Sequence, residues 1–275
     1  MRLRRLFLAP AATVQILFLA IPLAIVAVYS LLTRGAYAGA GLPWTLENYA
    51  RLIDPLYVAI FLRSVVIAAV ATVICLILAF PLALYISRAG KRKNLLLALV
   101  ILPFWTSFLI RTYAWIFLLR DTGLFNSALL ALGWISEPLP LLYNDGAVIL
   151  GLVYGYLPFM VLPLYATLER MDKALVEAAF DLGARPWEAI RHVILPLSYP
   201  GIRAGSILVF IPCLGAYLTP DLMGGGKSVM IGNLVQNQFV AARDWPFGAA
   251  VALTLMAAVM ILLIVAVRRT GEEML

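Results

Sequence analysis

Six apolar stretches, at 6–32, 64–86, 95–119, 147–168, 202–218 and 247–267, leave this chain little choice of fold. Most match or exceed the roughly 20 residues a helix needs to cross the ~30 Å hydrocarbon core of a bilayer. Inside lipid the backbone must satisfy its own hydrogen bonds, which a helix does. The expectation is an all-α integral membrane protein with six transmembrane helices, residues 1–275 forming one transmembrane domain. Composition agrees: 64% of the 275 residues are hydrophobic and 13% are charged, against roughly 45–50% and about 25% in soluble domains. The fifth stretch is short, contains Pro212 and is followed by Pro220, and interrupted spans of this kind line pathways in transporters. The first stretch imitates a secretory signal, with Ala36-Tyr37-Ala38 as a cleavage-like triplet. It runs well past the roughly 7–15 residues of a signal core and reads as an uncleaved span.

Orientation follows from the basic residues, which favour the cytoplasmic side. Arg2, Arg4 and Arg5, then Arg88, Lys91, Arg92 and Lys93, then Arg170, Lys173, Arg185 and Arg191, then Arg268 and Arg269 all fall on one side. The other side has Arg34, Arg51, Arg120, Lys227 and Arg243, with seven acids from Glu47 to Asp244. Both termini are therefore expected in the cytoplasm. The net charge of +7 is concentrated at span ends, which points to membrane lipid as a partner rather than nucleic acid.

Several chemistries lack their residues. His192 is the single histidine, and Cys75 and Cys213 both lie in apolar runs, so neither a metal site nor a Ser-His-Asp triad has material. No carboxylate lies deep in a span, as an ion-coupled transporter would require. The string DLMGGGKS at 221–228 ends like a phosphate-binding loop, but Asp221 stands where that motif needs its leading glycine. The expected topology also puts the string outside the cell. No cofactor is expected on this chain, and it is not expected to be an enzyme.

The longest inner loop, 169–200, carries more order than a connector needs. Asp172 is placed to cap a helix in which Leu175, Ala178, Ala179 and Leu182 share a face. Gly183 suits a left-handed stop, Pro186 the first turn of a second helix, and Pro196 its end. One face of this pair would pack on the membrane bundle and the other would offer Glu177, Asp181 and Arg185 to a soluble partner, the alternative on periodicity being an interfacial helix that lies on lipid.

The stretch EAAFDLGARPWEAIRHVILPL, from Glu177 to Leu197, resembles the EAA loop of ABC importer permeases. Further segments, ILPFWTSFLIRTYAWIFLL, GLVYGYLPFMVLPLYATLERMDKALVEAA, DLMGGGKSVMIGNLVQNQF and RDWPFGAA, resemble spermidine/putrescine permeases. The resemblance implies a type I ABC importer permease fold with a cytoplasmic coupling helix, in a multi-pass protein of the bacterial inner membrane. It implies as partners a second related permease, two ABC ATPase subunits that bind the ATP and Mg, and an extracytoplasmic substrate-binding protein. Glu177, Ala178, Ala179, Asp181, Gly183 and Arg185 are the residues it assigns to ATPase coupling. A different cargo, such as an aminophosphonate, another anion or chelated iron, would make Arg63 and Arg111 the attractive groups.

A polyamine path would offer ring faces, which attract cations. The candidates are Trp105, Tyr113, Trp115, Tyr156 and Tyr217, with Asp221 the nearest carboxylate. Phe104, Tyr154 and Phe159 lie on the same two spans. Arg111 would repel such a cargo, and a structural ion pair with Asp121 or Asp221 is expected for it.

Overall fold

The computed structural model describes residues 13–35 and 39–272. Arg2, Arg4, Arg5, the start of the first expected span and the triplet at 36–38 lie outside them. The described residues form helices and one two-stranded hairpin. They fall into two compact units, one of residues up to 62 together with 231 onward, the other of 63–230.

In the first unit a π-helical turn, Ile16–Ala20, leads into α1, Ile21–Ser30. The hairpin follows as β1, Leu32–Arg34, and β2, Ala40–Trp44. Next come α2, Glu47–Arg51, and the first turns of α3, Pro55–Arg88. Asn48 explains how a hairpin survives at the end of a span. Its buried side-chain amide donates to the carbonyls of Ser30, at 2.9 Å, and Leu32, at 2.8 Å, satisfying backbone that the helix end leaves open. Near the end of the chain, Asp244 precedes a long helix, Trp245–Glu272, and accepts the Phe247 N–H at 3.2 Å. Its second oxygen accepts from Arg51 at 2.9 Å, and that guanidinium lies 4.0 Å above the Phe247 ring. Burial, the largest single influence, works to lower the Arg51 pKa, but the hydrogen bonds and charge attraction of Asp244 and Tyr57 together outweigh it and hold the group above its ordinary value.

The second unit contains the rest of α3, then α4, Lys93–Ile101, α5, Phe108–Leu119, α6, Leu124–Ala131, and α7, Asp145–Glu169. The loop at 169–200 supplies α8, Lys173–Asp181, α9, Pro186–Ala189, and α10, Leu195–Leu197. Then come α11, Tyr199–Leu214, and α12, Leu218–Gly224. The first unit's remaining helices are α13, Ile231–Val240, and α14, Trp245–Glu272.

The core of the second unit is the α7–α11 pair. Gly201 and Gly205, one turn apart on α11, lie where an added Cβ would sit 2.9 Å from the Pro163 carbonyl and 2.6 Å from the Met160 sulfur. Small residues at this spacing let two membrane helices approach until their backbones touch. α7 repeats the spacing with Gly151 and Gly155, against Thr219 and Met223 of α12 and the Phe108 ring of α5. Two polar clusters mark the ends of α7. Lys93 at the start of α4 is ion-paired with Glu169 at one end. At the other, Asp145 accepts from Arg63 at 2.5 Å and from Ser228.

Four helices are long and apolar enough to cross a membrane, and there are up to six if each of two bent pairs makes one span. The expected straight span at 95–119 is instead broken. α4 passes through a 3-10 turn, Leu102–Trp105, and the chain bends by 88° before α5. Pro103 lies in that turn, and the Thr106 hydroxyl bonds back to its carbonyl at 2.7 Å, competing with helix continuation. The expected span at 202–218 likewise stops at Leu214. Gly215 caps α11, its N–H on the carbonyls of Ile211 and Cys213.

Candidate functional site

The loop at 169–200 is built as its local chemistry dictates. The Asp172 carboxylate accepts the Ala174 N–H at 3.0 Å and caps α8. Gly183 takes a φ of +85°, which only glycine adopts at little cost. The turn closes with Gly183 N–H on the Phe180 carbonyl and Ala184 N–H on that of Ala179. Pro186 opens α9, and Glu188 accepts the Arg185 N–H at 2.7 Å, so Arg185 begins the second helix as well as carrying a charge. Glu177, Ala178 and Asp181 are exposed, and Ala179 is half-buried.

Two expectations for this loop fail. The apolar face does not turn wholly into the bundle: Val176 and Ala179 are partly covered, while Leu175 and Phe180 are exposed, Leu182 is 89% exposed and Trp187 68%. The surface offered outward therefore mixes carboxylates with large apolar side chains. Nor does Pro196 end the second helix. Residues Ile190–Ile194 wind as a π-helical turn, Pro196 sits in the first turn of α10 where no N–H is needed, and the 66° bend comes at Ser198. The buried Ser198 hydroxyl there donates to the Ile194 carbonyl at 2.6 Å.

The break between α11 and α12 opens a cavity of about 330 Å³, lined among others by Phe108, Tyr156, Pro212, Gly215, Tyr217 and Thr219. The Tyr156 hydroxyl donates to the Pro212 carbonyl at 3.5 Å. Thr219 is buried against Gly151, and its hydroxyl has no hydrogen-bond partner among the described residues. Of the residues expected along a substrate path, Tyr156 and Tyr217 meet here. Asp221 is exposed and does not line the cavity. Trp105 and Tyr113 are exposed and stand apart from it, and so does half-buried Trp115.

Trp115 belongs to a second aromatic group that already holds a cation. The Arg111 guanidinium lies 4.4 Å above the Phe104 ring and 5.6 Å from that of Phe108. Phe104 stacks on Tyr154, and Trp115 meets Tyr154 edge-on at 5.5 Å. The expected ion pair with Asp121 or Asp221 is not formed. Nε and Nη1 of Arg111 are buried without a hydrogen-bond partner, and ring faces, which need no counter-charge, take the place of a carboxylate. Arg63 is paired with Asp145, so neither arginine is a free cation facing the cavity.

The string that imitates a phosphate loop is a tight turn. Gly225 and Gly226 have φ of +57° and +75°, and the Lys227 N–H closes on the Gly224 carbonyl at 3.1 Å. An added Cβ on Gly225 would stand 2.5 Å from the Tyr143 ring. The segment follows helix α12 rather than a strand. Ser228 then ties the turn to Asp145 and through it to Arg63. Ser228→Ala leaves that half-exposed carboxylate one donor short, at a cost of about 0.5–1.5 kcal/mol. Amide exchange across 224–228 is expected to rise while exchange in α11 stays unchanged; equal exchange in both would show that the turn does not depend on Ser228.

Sequence reasoning missed Thr219 and the two glycine pairs. The pairs were visible as Gly151-Leu-Val-Tyr-Gly155 and Gly201-Ile-Arg-Ala-Gly205. Nothing in the sequence marks Thr219, whose significance comes from the cavity.

Residues 76–270 match the family described as binding-protein-dependent transport system inner membrane component. The chain is 45% identical over 241 residues to the spermidine/putrescine transport system permease protein PotB of Escherichia coli K12, covering 87% of this chain and 88% of that one. It is 39% identical to the inner membrane ABC transporter permease protein YdcU of the same strain, covering 82% of this chain and 76% of that one. Among solved structures, a bacterial ABC transporter involved in alginate import matches with a TM-score of 0.79 at 16% identity, covering 98% and 95% of the two chains. That likeness shows the fold. With the family model spanning most of its length and the EAA segment folded as a capped helix pair, this chain belongs to the binding-protein-dependent inner membrane permeases, the non-catalytic transport subunits of ABC importers.

Proposed function

We propose that this chain forms half of the translocation path of an ATP-driven importer for polyamines, spermidine and putrescine. The observation that carries the reading is the 45% identity, over nearly the whole chain, to permeases named for that transport system. The cavity agrees with a cationic cargo: Phe108, Tyr156 and Tyr217 line it at the C-terminal end of α11, and no cationic side chain does. The aminophosphonate reading, which a 29% identical relative would favour, needs a free arginine at the path. Arg63 and Arg111 are engaged elsewhere.

In this reading the chain acts as one permease domain with six spans, each bent pair making one, and both termini in the cytoplasm. The two polar clusters on α7 support that topology, since the basic segment Arg88–Lys93 and the loop after Glu169 share one end while Asp145 and the Ser228 turn share the other. The partners are a second related permease, a dimer of ABC ATPase subunits that bind the ATP and Mg, and an extracytoplasmic binding protein. Glu177, Ala178, Ala179, Asp181, Gly183 and Arg185 form the ATPase-docking surface, with Leu182 and Trp187 as its apolar part. Tyr156 and Tyr217 line the substrate path at the cavity, and Trp105, Tyr113, Trp115 and Asp221 belong to it outside the cavity.

The test is uptake of labelled spermidine, putrescine and 2-aminoethylphosphonate into proteoliposomes holding the complete importer and its binding protein. ATP-dependent uptake of the two amines alone is expected. Uptake of the phosphonate in their place would retain the permease and discard the polyamine.

A further inference from the structure

The cavity at the α11–α12 break is more specific than a passage needs to be. It sits at the C-terminal end of a 16-residue helix, whose last carbonyls carry partial negative charge and favour a cation. Tyr156 and Tyr217 add ring faces. Thr219 is 1% exposed, yet its hydroxyl is unpaired among the described residues. Buried hydroxyls without partners are uncommon, and each asks for a group that the fold does not supply. Its methyl abuts Gly151, which fixes the side chain on the α7 side of the cavity. No lining residue carries a formal charge. A group with several N–H donors and a positive charge matches every one of these features, whereas an anion would meet carbonyl oxygens.

We infer that this cavity seats one primary-ammonium end of the polyamine in transit, with the Thr219 hydroxyl as acceptor, the negative end of the α11 dipole favouring the charge and the rings of Tyr156 and Tyr217 around it. The inference rests on the polyamine reading above. A site of this strength holds the cargo briefly and releases it, because it offers dipoles and ring faces and no carboxylate.

Thr219→Val keeps the side-chain shape and removes the hydroxyl, and Tyr217→Leu removes a half-exposed ring. In proteoliposomes with the complete importer and its binding protein, each is expected to lower putrescine and spermidine uptake per ATP hydrolysed by about five- to twentyfold. Thr219→Ser and Tyr217→Phe are expected to restore it, which a merely structural role for either side chain would not require. Should Thr219→Val fail to assemble, the Tyr217 pair decides. Wild-type uptake per ATP in both Thr219→Val and Tyr217→Leu would overturn the ammonium seat and leave the importer standing. A wild-type complex that carries neither amine would overturn the polyamine reading beneath it.

Discussion

Glu177→Arg is expected to abolish the stimulation of ATP hydrolysis by loaded binding protein and to cut uptake at least tenfold, while the chain still inserts and is recovered at normal yield. The residue lies on the exposed side of α8, so reversing its charge removes nothing that the fold uses. A mismatched charge at a docking surface costs several kcal/mol, and tenfold requires only about 1.4 kcal/mol. Lys91→Glu, outside the docking surface, is the control and is expected to be silent. Hydrolysis and uptake are read on the same reconstituted complex. If Glu177→Arg remains fully stimulated, α8 is not the element through which the ATPase acts, and the family resemblance misplaces the contact.

The second large effect concerns assembly of the helices themselves. At Gly201 even a Cβ would stand 2.6 Å from the Thr167 hydroxyl and 2.9 Å from the Pro163 carbonyl. The side chain can rotate aside, but the carbonyl belongs to α7 and cannot move alone. Gly201→Leu forces the two helices apart and is expected to cost about 3 kcal/mol or more. Thermal unfolding in detergent should show a clear fall in Tm and in the yield of monodisperse protein. Ala204→Leu, an exposed position on the same helix, is expected to behave as wild type. Equal melting of the two variants would mean that the α7–α11 contact yields more readily than its geometry implies.

What could be read in the sequence was what local chemistry determines. The cap at Asp172, the left-handed stop at Gly183 and the helix start at Pro186 each follow from one residue's own preferences, and each is found in place. The break near Thr106 was hidden because hydropathy averaged over a span ignores a side chain that bonds back to its own turn, whereas the one near Gly215 was marked by a short, proline-bounded stretch. The hairpin at 32–44 escaped notice because its stability comes from Asn48, outside the strands. Arg111 was assigned a carboxylate because sequence order cannot place a ring over a guanidinium. The mixed face of α8 was misjudged because periodicity reports that Leu175 and Leu182 share a side, not whether anything covers them.

The glycine pairs on α7 and α11 have a mechanical consequence. α7 is gripped near both ends, by α11 around Met160 and Pro163 and by α12 around Gly151, and close-packed interiors compress little. Such a helix is held sideways along most of its length, and its give is left to Pro158 and Pro163 inside it. Its Glu169 end joins α8 through the few residues that follow, and Tyr156 rides on its middle. A push on α8 would therefore be carried along α7, through Pro158 and Pro163, to Tyr156 at the cavity wall.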